Sequence, residues 1–309
     1  MAKNYLNIIL FTLFISSLCC YAQEVKVFTV KDFDLKDSVK TCLVSTKYGK
    51  EEYNFNKKGL LTKSVTRYSD SDYDVVLYKY ANGELLEKRS ETYRDNKFDP
   101  STSIAHFFEL DTTSNRKVIE KIISYDKEFL DNYIYHYDDK GDLVRMIRTN
   151  NEGTDETLVE YKKYKGEYTV TYLLNEVPLK SIRTSNRKKN GAVQKIVLTK
   201  EFLKGEPNKA IEEVFDVNEL LLERQEFDYN VTEKKFVPTV RTTYNYDKNG
   251  MLESEIIADG NSTEKKEYIY QFDGEEGGNW IKKIIKPDNA YTTRKITYYK
   301  AESEKKEEE

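Results

Sequence analysis

Few side chains in this 309-residue chain are equipped for chemistry: it has two histidines, His106 and His136, and three cysteines, Cys19, Cys20 and Cys42. Nucleophilic catalysis needs a thiol or hydroxyl, a base and an orienting group brought together. Cys42 stands alone on an apparent early strand, which predicts a buried thiol and not a nucleophile. His136 lies between Tyr135 and Tyr137 on a strand, which predicts an outward imidazole. Asp70, Asp72 and Asp74 alternate as calcium ligands do, but Val75 occupies the sixth position, where a calcium loop turns on glycine. A solvated hairpin loop is expected there, and again at Asp273, Glu275 and Glu276. Paired carboxylates would suit glycoside hydrolysis, yet 54 acidic residues make close pairs unavoidable and spacing marks none of them out. GxGxxG, phosphate-loop and HExxH motifs are absent. No catalytic residue, metal ligand or cofactor is therefore assigned, and the chain is not expected to be an enzyme. A carboxylate-dependent glycoside hydrolase is the alternative.

The 25 tyrosines are the other chemical resource, because exposed rings stack on sugars. Most recur at fixed places in a repeat, so sheet packing is the expectation, each buried ring being worth about 1.5 to 3 kcal/mol. Tyr93, Tyr291, Tyr298 and Tyr299 fall outside the repeat and are expected to be more exposed, the last two within a closing strand.

The positioning elements follow from that repeat. Tyr53 to Leu61, Tyr135 to Leu143 and Tyr244 to Leu252 share the pattern Tyr-x-aromatic-Asp/Asn-x-x-Gly-x-Leu. Tyr78 to Leu85 shortens the turn to Asn82-Gly83, and Tyr268 to Trp280 lengthens it. Tyr161 to Gly166, Asn190 to Val193 and Phe215 to Leu221 keep parts of it, with Glu219 in place of the turn glycine, and Asp111 to Val118 is a faint match. Turn positions recur at intervals of 24 to 28 residues, so about nine units fit between Thr41 and Lys300. Two aromatics two apart share one strand face, while Asp followed three later by Gly suits a type I turn closed by a left-handed residue. The predicted hairpin sets Tyr246 opposite Leu252 and Tyr80 opposite Leu85. Each unit is too small to fold alone, so an all-β array of tandem antiparallel hairpins is expected, stacked into one elongated curved sheet or solenoid over residues 23–300.

These units resemble the YD repeats of the RHS family, and Gly278-Asn279-Trp280 resembles the ending of the variant found in secreted Bacteroidetes proteins. The resemblance implies an extracellular β array whose relatives are linked to adhesion, carbohydrate contact or toxin packaging. The chain departs from large members in its shortness and in lacking a terminal self-cleaving core.

Lys3, the apolar stretch Leu6 to Leu18 and small residues before Gln23 predict a signal peptide over 1–22. Lipid anchoring at Cys19 or Cys20 is the secondary reading. Cleavage leaves Cys42 alone, so no internal disulfide is expected, and no membrane-spanning helix remains in the mature chain. With a net charge of −4 and Lys and Glu interleaved along the chain, no nucleic acid or other polyanion is expected as partner. The run 301–309 reads as a charged disordered tail. The expectation is an exported binding or scaffold protein of the periplasm, cell surface or medium, with glycans or envelope components as ligand classes; a component of a toxin-packaging or surface-assembly system is a further alternative.

Overall fold

The computed structural model describes residues 25–113, 115–260, 262–274 and 278–300. The expected signal peptide with Cys19 and Cys20, the start at Gln23, the tail 301–309 and the acids Glu275 and Glu276 lie outside the described residues. A short 3₁₀ turn, Val30–Phe33, precedes the strands β1 (Val39–Thr46), β2 (Gly49–Phe55), β3 (Leu61–Arg67), β4 (Tyr73–Ala81), β5 (Glu84–Arg94) and β6 (Lys97–Asp111). Next come β7 (Lys117–Ser124), β8 (Phe129–Tyr137), β9 (Leu143–Asn150), β10 (Gly153–Tyr164), β11 (Glu167–Leu174), β12 (Val177–Lys189) and β13 (Ala192–Leu203). The last are β14 (Glu206–Phe215), β15 (Leu221–Asn230), β16 (Lys235–Tyr246), β17 (Leu252–Asp259), β18 (Ser262–Phe272), β19 (Trp280–Lys286) and β20 (Ala290–Tyr298).

Each strand pairs antiparallel with its neighbours in sequence, and β20 returns to pair with β1, setting Cys42 opposite Ile296 and Val44 opposite Arg294. The result is a closed ring of 20 strands, and it corrects the expectation of an open curved sheet or solenoid. The reason is cumulative stagger. Following the registers once around the ring returns to β1 about 22 residues further along, which tilts the strands by about 40° and gives a backbone ring about 40 Å across. A sheet curled to that degree meets its own edge, and pairing there satisfies the backbone groups that an open array would leave exposed.

Because every connection joins neighbours, alternate turns share a rim. One rim gathers the repeat turns of nine hairpins among the described residues, from β2–β3 to β18–β19. At Asp247 the carboxylate accepts the amides of Asn249 (2.8 Å) and Met251 (2.9 Å), and the Gly250 amide donates to the Asp247 carbonyl (3.0 Å) with Gly250 at φ 77°. Asn56, Asp138 and Asp216 accept the corresponding pair of amides. Tyr246 lies opposite Leu252 and Tyr80 opposite Leu85, as the repeat predicts. A tie between units also recurs: the hydroxyls of Tyr80, Tyr161 and Tyr246 donate to the carbonyls of Leu61, Leu143 and Leu221 in the preceding hairpin, each at 2.8 Å.

Residues 25–36 identify the inner face. This short segment packs against Tyr53, Phe55, Tyr78, Trp280 and Arg294 and reaches the cluster around Leu85 and Phe108, a span of strands that only a concave wall can present to it. The Leu61 amide donates to the Phe28 carbonyl and the Val30 amide to the Gly59 carbonyl, both at 2.9 Å, so the segment adds a short bridge at the repeat rim. The core is one-sided. Buried inner residues run from β19 and β20 across the seam to β10, with two apolar clusters centred on Cys42, Phe55 and Leu61 and on Phe108, Tyr135 and Met146. Strands β11, β12, β13, β15 and β16 contain no buried residue, so this part of the inner wall is only half-covered.

Candidate functional site

Period-two alternation decides which side chains meet. On the inner wall, register places Lys88 beside His106 and Phe108 beside Glu120. Glu120 is buried and has both oxygens engaged: His106 Nδ1 lies 2.7 Å from one, and the Tyr135 hydroxyl donates to the other at 2.6 Å. The His106 ring stacks on Phe108 at 6.4 Å. Burial pulls Lys88 below the usual lysine range, with Glu120 opposing it, and burial together with the Glu120 carboxylate pushes Tyr135 up. With both oxygens of Glu120 engaged, this cluster ties β6, β7 and β8 together. The sequence shows His106 without its partners, which meet it only through the registers of β5 to β8.

A second inner cluster fastens the entering segment to the last strands. The Arg294 guanidinium lies over the Trp280 ring at 3.5 Å and donates to the carbonyls of Phe33 (2.9 Å) and Asp34 (3.1 Å). Trp280 Nε1 donates to the Asp34 carboxylate at 2.7 Å, and the buried Asn279 side chain accepts from the Lys36 amide and donates to the Lys36 carbonyl. The repeat ending Asn279-Trp280 is thus a latch for residues 33–36.

The outer wall carries a groove of about 300 Å³ across β3, β4 and β5, lined by Lys63, Arg67, Leu77, Glu91, Tyr73 and Tyr93 over Val65 and Val75. The two tyrosine rings stack at 4.8 Å, and Arg67 lies over Tyr73 at 4.7 Å. Glu91 accepts from the hydroxyls of Tyr93 (3.0 Å) and Tyr125 (2.6 Å). Sequence reading set Tyr93 outside the repeat; in the fold it is half-buried against Tyr73, while Tyr291 is 61% exposed.

The remaining sequence candidates are placed apart. His136 faces outward on β8 between Lys117 and Arg145, and burial with both cations lowers its pKa. Cys42 is buried, and burial pushes its thiol up to about 11. Asp72 accepts from the Asp95 amide at 3.0 Å, while Asp74 accepts from Tyr68 and Arg94, so these acids brace neighbouring loops. Asp273 accepts from the Tyr298 hydroxyl. No group of three metal-ligating side chains occurs among the described residues.

No protein-family model and no curated protein matches the chain. Among solved structures, it is similar to a porin-like protein from Bacteroides uniformis at TM-score 0.33 and 10% identity, covering 84% of this chain and 98% of that one. A porin-like protein from Bacteroides vulgatus gives TM-score 0.25 and 10% identity over 85% and 99%. The TcdB2–TccC3 structure without its hypervariable C-terminal region gives 0.19 and 12%, over 80% of this chain and 19% of that one. Likenesses of this strength carry no part of the fold assignment, which rests on the chain's own ladders.

Proposed function

We propose that the chain is an exported, non-catalytic binding or scaffold barrel of the cell envelope or surface, with water on both faces of its wall. The carrying observation is the outer wall itself. Arg183 on β12, Glu212 on β14 and Arg241 on β16 occupy outward positions inside their strands, with Arg187 and Glu223 on the same face nearer the strand ends. In a lipid-facing wall, Arg or Lys near mid-depth costs about 2 to 4 kcal/mol each, and such barrels keep that band apolar. A water-bathed wall carries those charges without that cost. Export is supported by Lys3 and the apolar stretch Leu6 to Leu18, and the YD-like repeat supports an extracellular setting. The test is to prepare residues 23–309 without detergent. A monodisperse, strand-rich protein is expected; a chain that stays in solution only in detergent micelles overturns the reading. Hydrolysis of a polysaccharide panel, abolished by one Asp or Glu substitution, would replace binding with catalysis.

A further inference from the structure

The interleaved charges of the sequence become sorted once strands alternate. On the outer face of the five consecutive ring strands β19, β20, β1, β2 and β3 stand Lys282, Lys286, Lys295, Lys50, Lys63 and Arg67, against one acid, Glu52. None of the six cations makes an ion pair among the described residues. Register lines part of this set into a row across the strands, Lys282, Thr293, Ser45, Lys50, Arg67, Tyr73 and Tyr93 each opposite the next. At about 4.8 Å per strand the row is roughly 29 Å long. It ends at the stacked tyrosines and the groove of about 300 Å³. Lys282 lies over the exposed Tyr291 ring at 5.4 Å, which adds an aromatic at the other end.

We infer that this strip is a binding surface for an acidic polysaccharide, which reverses the expectation, drawn from net charge and interleaved Lys and Glu, of no polyanionic partner. Cations not tied up in ion pairs attract a polyanion, and a chain with net charge −4 that gathers six of them against Glu52, with Glu267 opposite Lys286 at one border and Glu91 in the groove at the other, has a local field opposite to its overall one. The hydroxyls of Ser45 and Thr293 suit the hydroxyl-rich edges of sugars, and tyrosine rings suit their apolar faces. This inference rests on the binding-surface reading above and names its ligand class.

The test is binding of the detergent-free mature chain to polygalacturonate, neutral dextran, poly-dT and phosphatidylcholine vesicles containing phosphatidylglycerol. Polygalacturonate is expected to bind with an affinity that falls as salt rises, and dextran is not. The double variant Lys50→Glu/Arg67→Glu is expected to bind about tenfold more weakly, and Tyr73→Ala to weaken binding at unchanged salt dependence. Arg183→Glu, on β12 and away from the strip, serves as the control. Lys282→Glu/Lys295→Glu, both on the sheet surface, replaces the first variant if that one loses its strand-rich circular dichroism. No retention on polygalacturonate at low salt, an equal loss in the Arg183 control, or tighter binding to poly-dT or the vesicles overturns the inference. A chain that stays in solution without detergent yet fails on polygalacturonate sinks this surface and leaves the water-bathed barrel standing.

Discussion

At the scale of single residues, burial sets reactivity. Cys42 is 1% exposed, on the inner side of β1, and burial pushes its thiol up to about 11 although the nearby Arg294 charge opposes the shift. The native protein at pH 8 is therefore expected to resist a thiol reagent for as long as the fold holds, and to label one-to-one in denaturant. Rapid labelling of the folded chain would show the thiol to be exposed. The tyrosines give a second outcome. Tyr125 and Tyr270 are each pushed up to about 12, with burial the largest cause and Glu91 and Asp34 adding to it in turn. Between the unfolded value near 10 and the raised folded one, the native state keeps protons that the unfolded chain has lost. Their contribution to stability is whole below about pH 10 and declines as pH climbs toward 12. Melting temperature should fall over that window, and absorbance at 295 nm should show these rings ionising late. Ionisation of every ring near pH 10 with no loss of stability would contradict their burial. The buried thiol was legible from a lone Cys on a strand, whereas the partners of His106 were not, since Lys88, Glu120 and Tyr135 meet it only through the registers of β5 to β8.

At the scale of elements, the repeat turn is where one residue governs a hairpin. Gly141 has φ 84° and no atom within 4 Å of an added Cβ, so a side chain there meets conformational strain alone. Gly141→Val and Gly250→Val are each expected to lose about 1 to 3 kcal/mol in denaturant unfolding. Glu219 occupies the same turn position at φ 64°, so Glu219→Gly should gain about 1 kcal/mol. If the valine variants unfolded as the parent does, these glycines would not be closing turns. The worn units show why the repeat was readable where its letters were not: Lys165-Gly166 and Asn190-Gly191 make two-residue turns with both φ positive, a geometry that matches strand twist without the Asp. The far rim was less legible. Its connections include Asp95-Asn96 and Asn175-Glu176, where positive φ falls on residues that carry side chains and no motif announces a reversal.

At the scale of the molecule, closure is the property no short stretch of sequence encodes, because it is the sum of small staggers and bulges over twenty ladders. A one-residue change in several of them would leave β1 and β20 out of reach. Closure also joins residues some 250 positions apart, among the costliest contacts in chain entropy, so it is expected to form after the hairpins. The latch of Trp280 and Arg294 on Asp34, and of Asn279 on Lys36, lies at this seam, where it holds the chain entry to the last strands. The Tyr299 hydroxyl adds a bond across it to the Phe55 carbonyl at 2.6 Å. Hydrogen exchange reads the arrangement directly. In a closed ring, mid-strand amides of β1 and β20 should be as slow as those of β8, since each strand is flanked on both sides. Trp280→Leu should then speed exchange in β1, β20 and residues 33–36 while leaving β8 unchanged. Fast exchange along one side of β1 and β20 in the unaltered protein would mean two free edges, and the ring would give way to the open sheet.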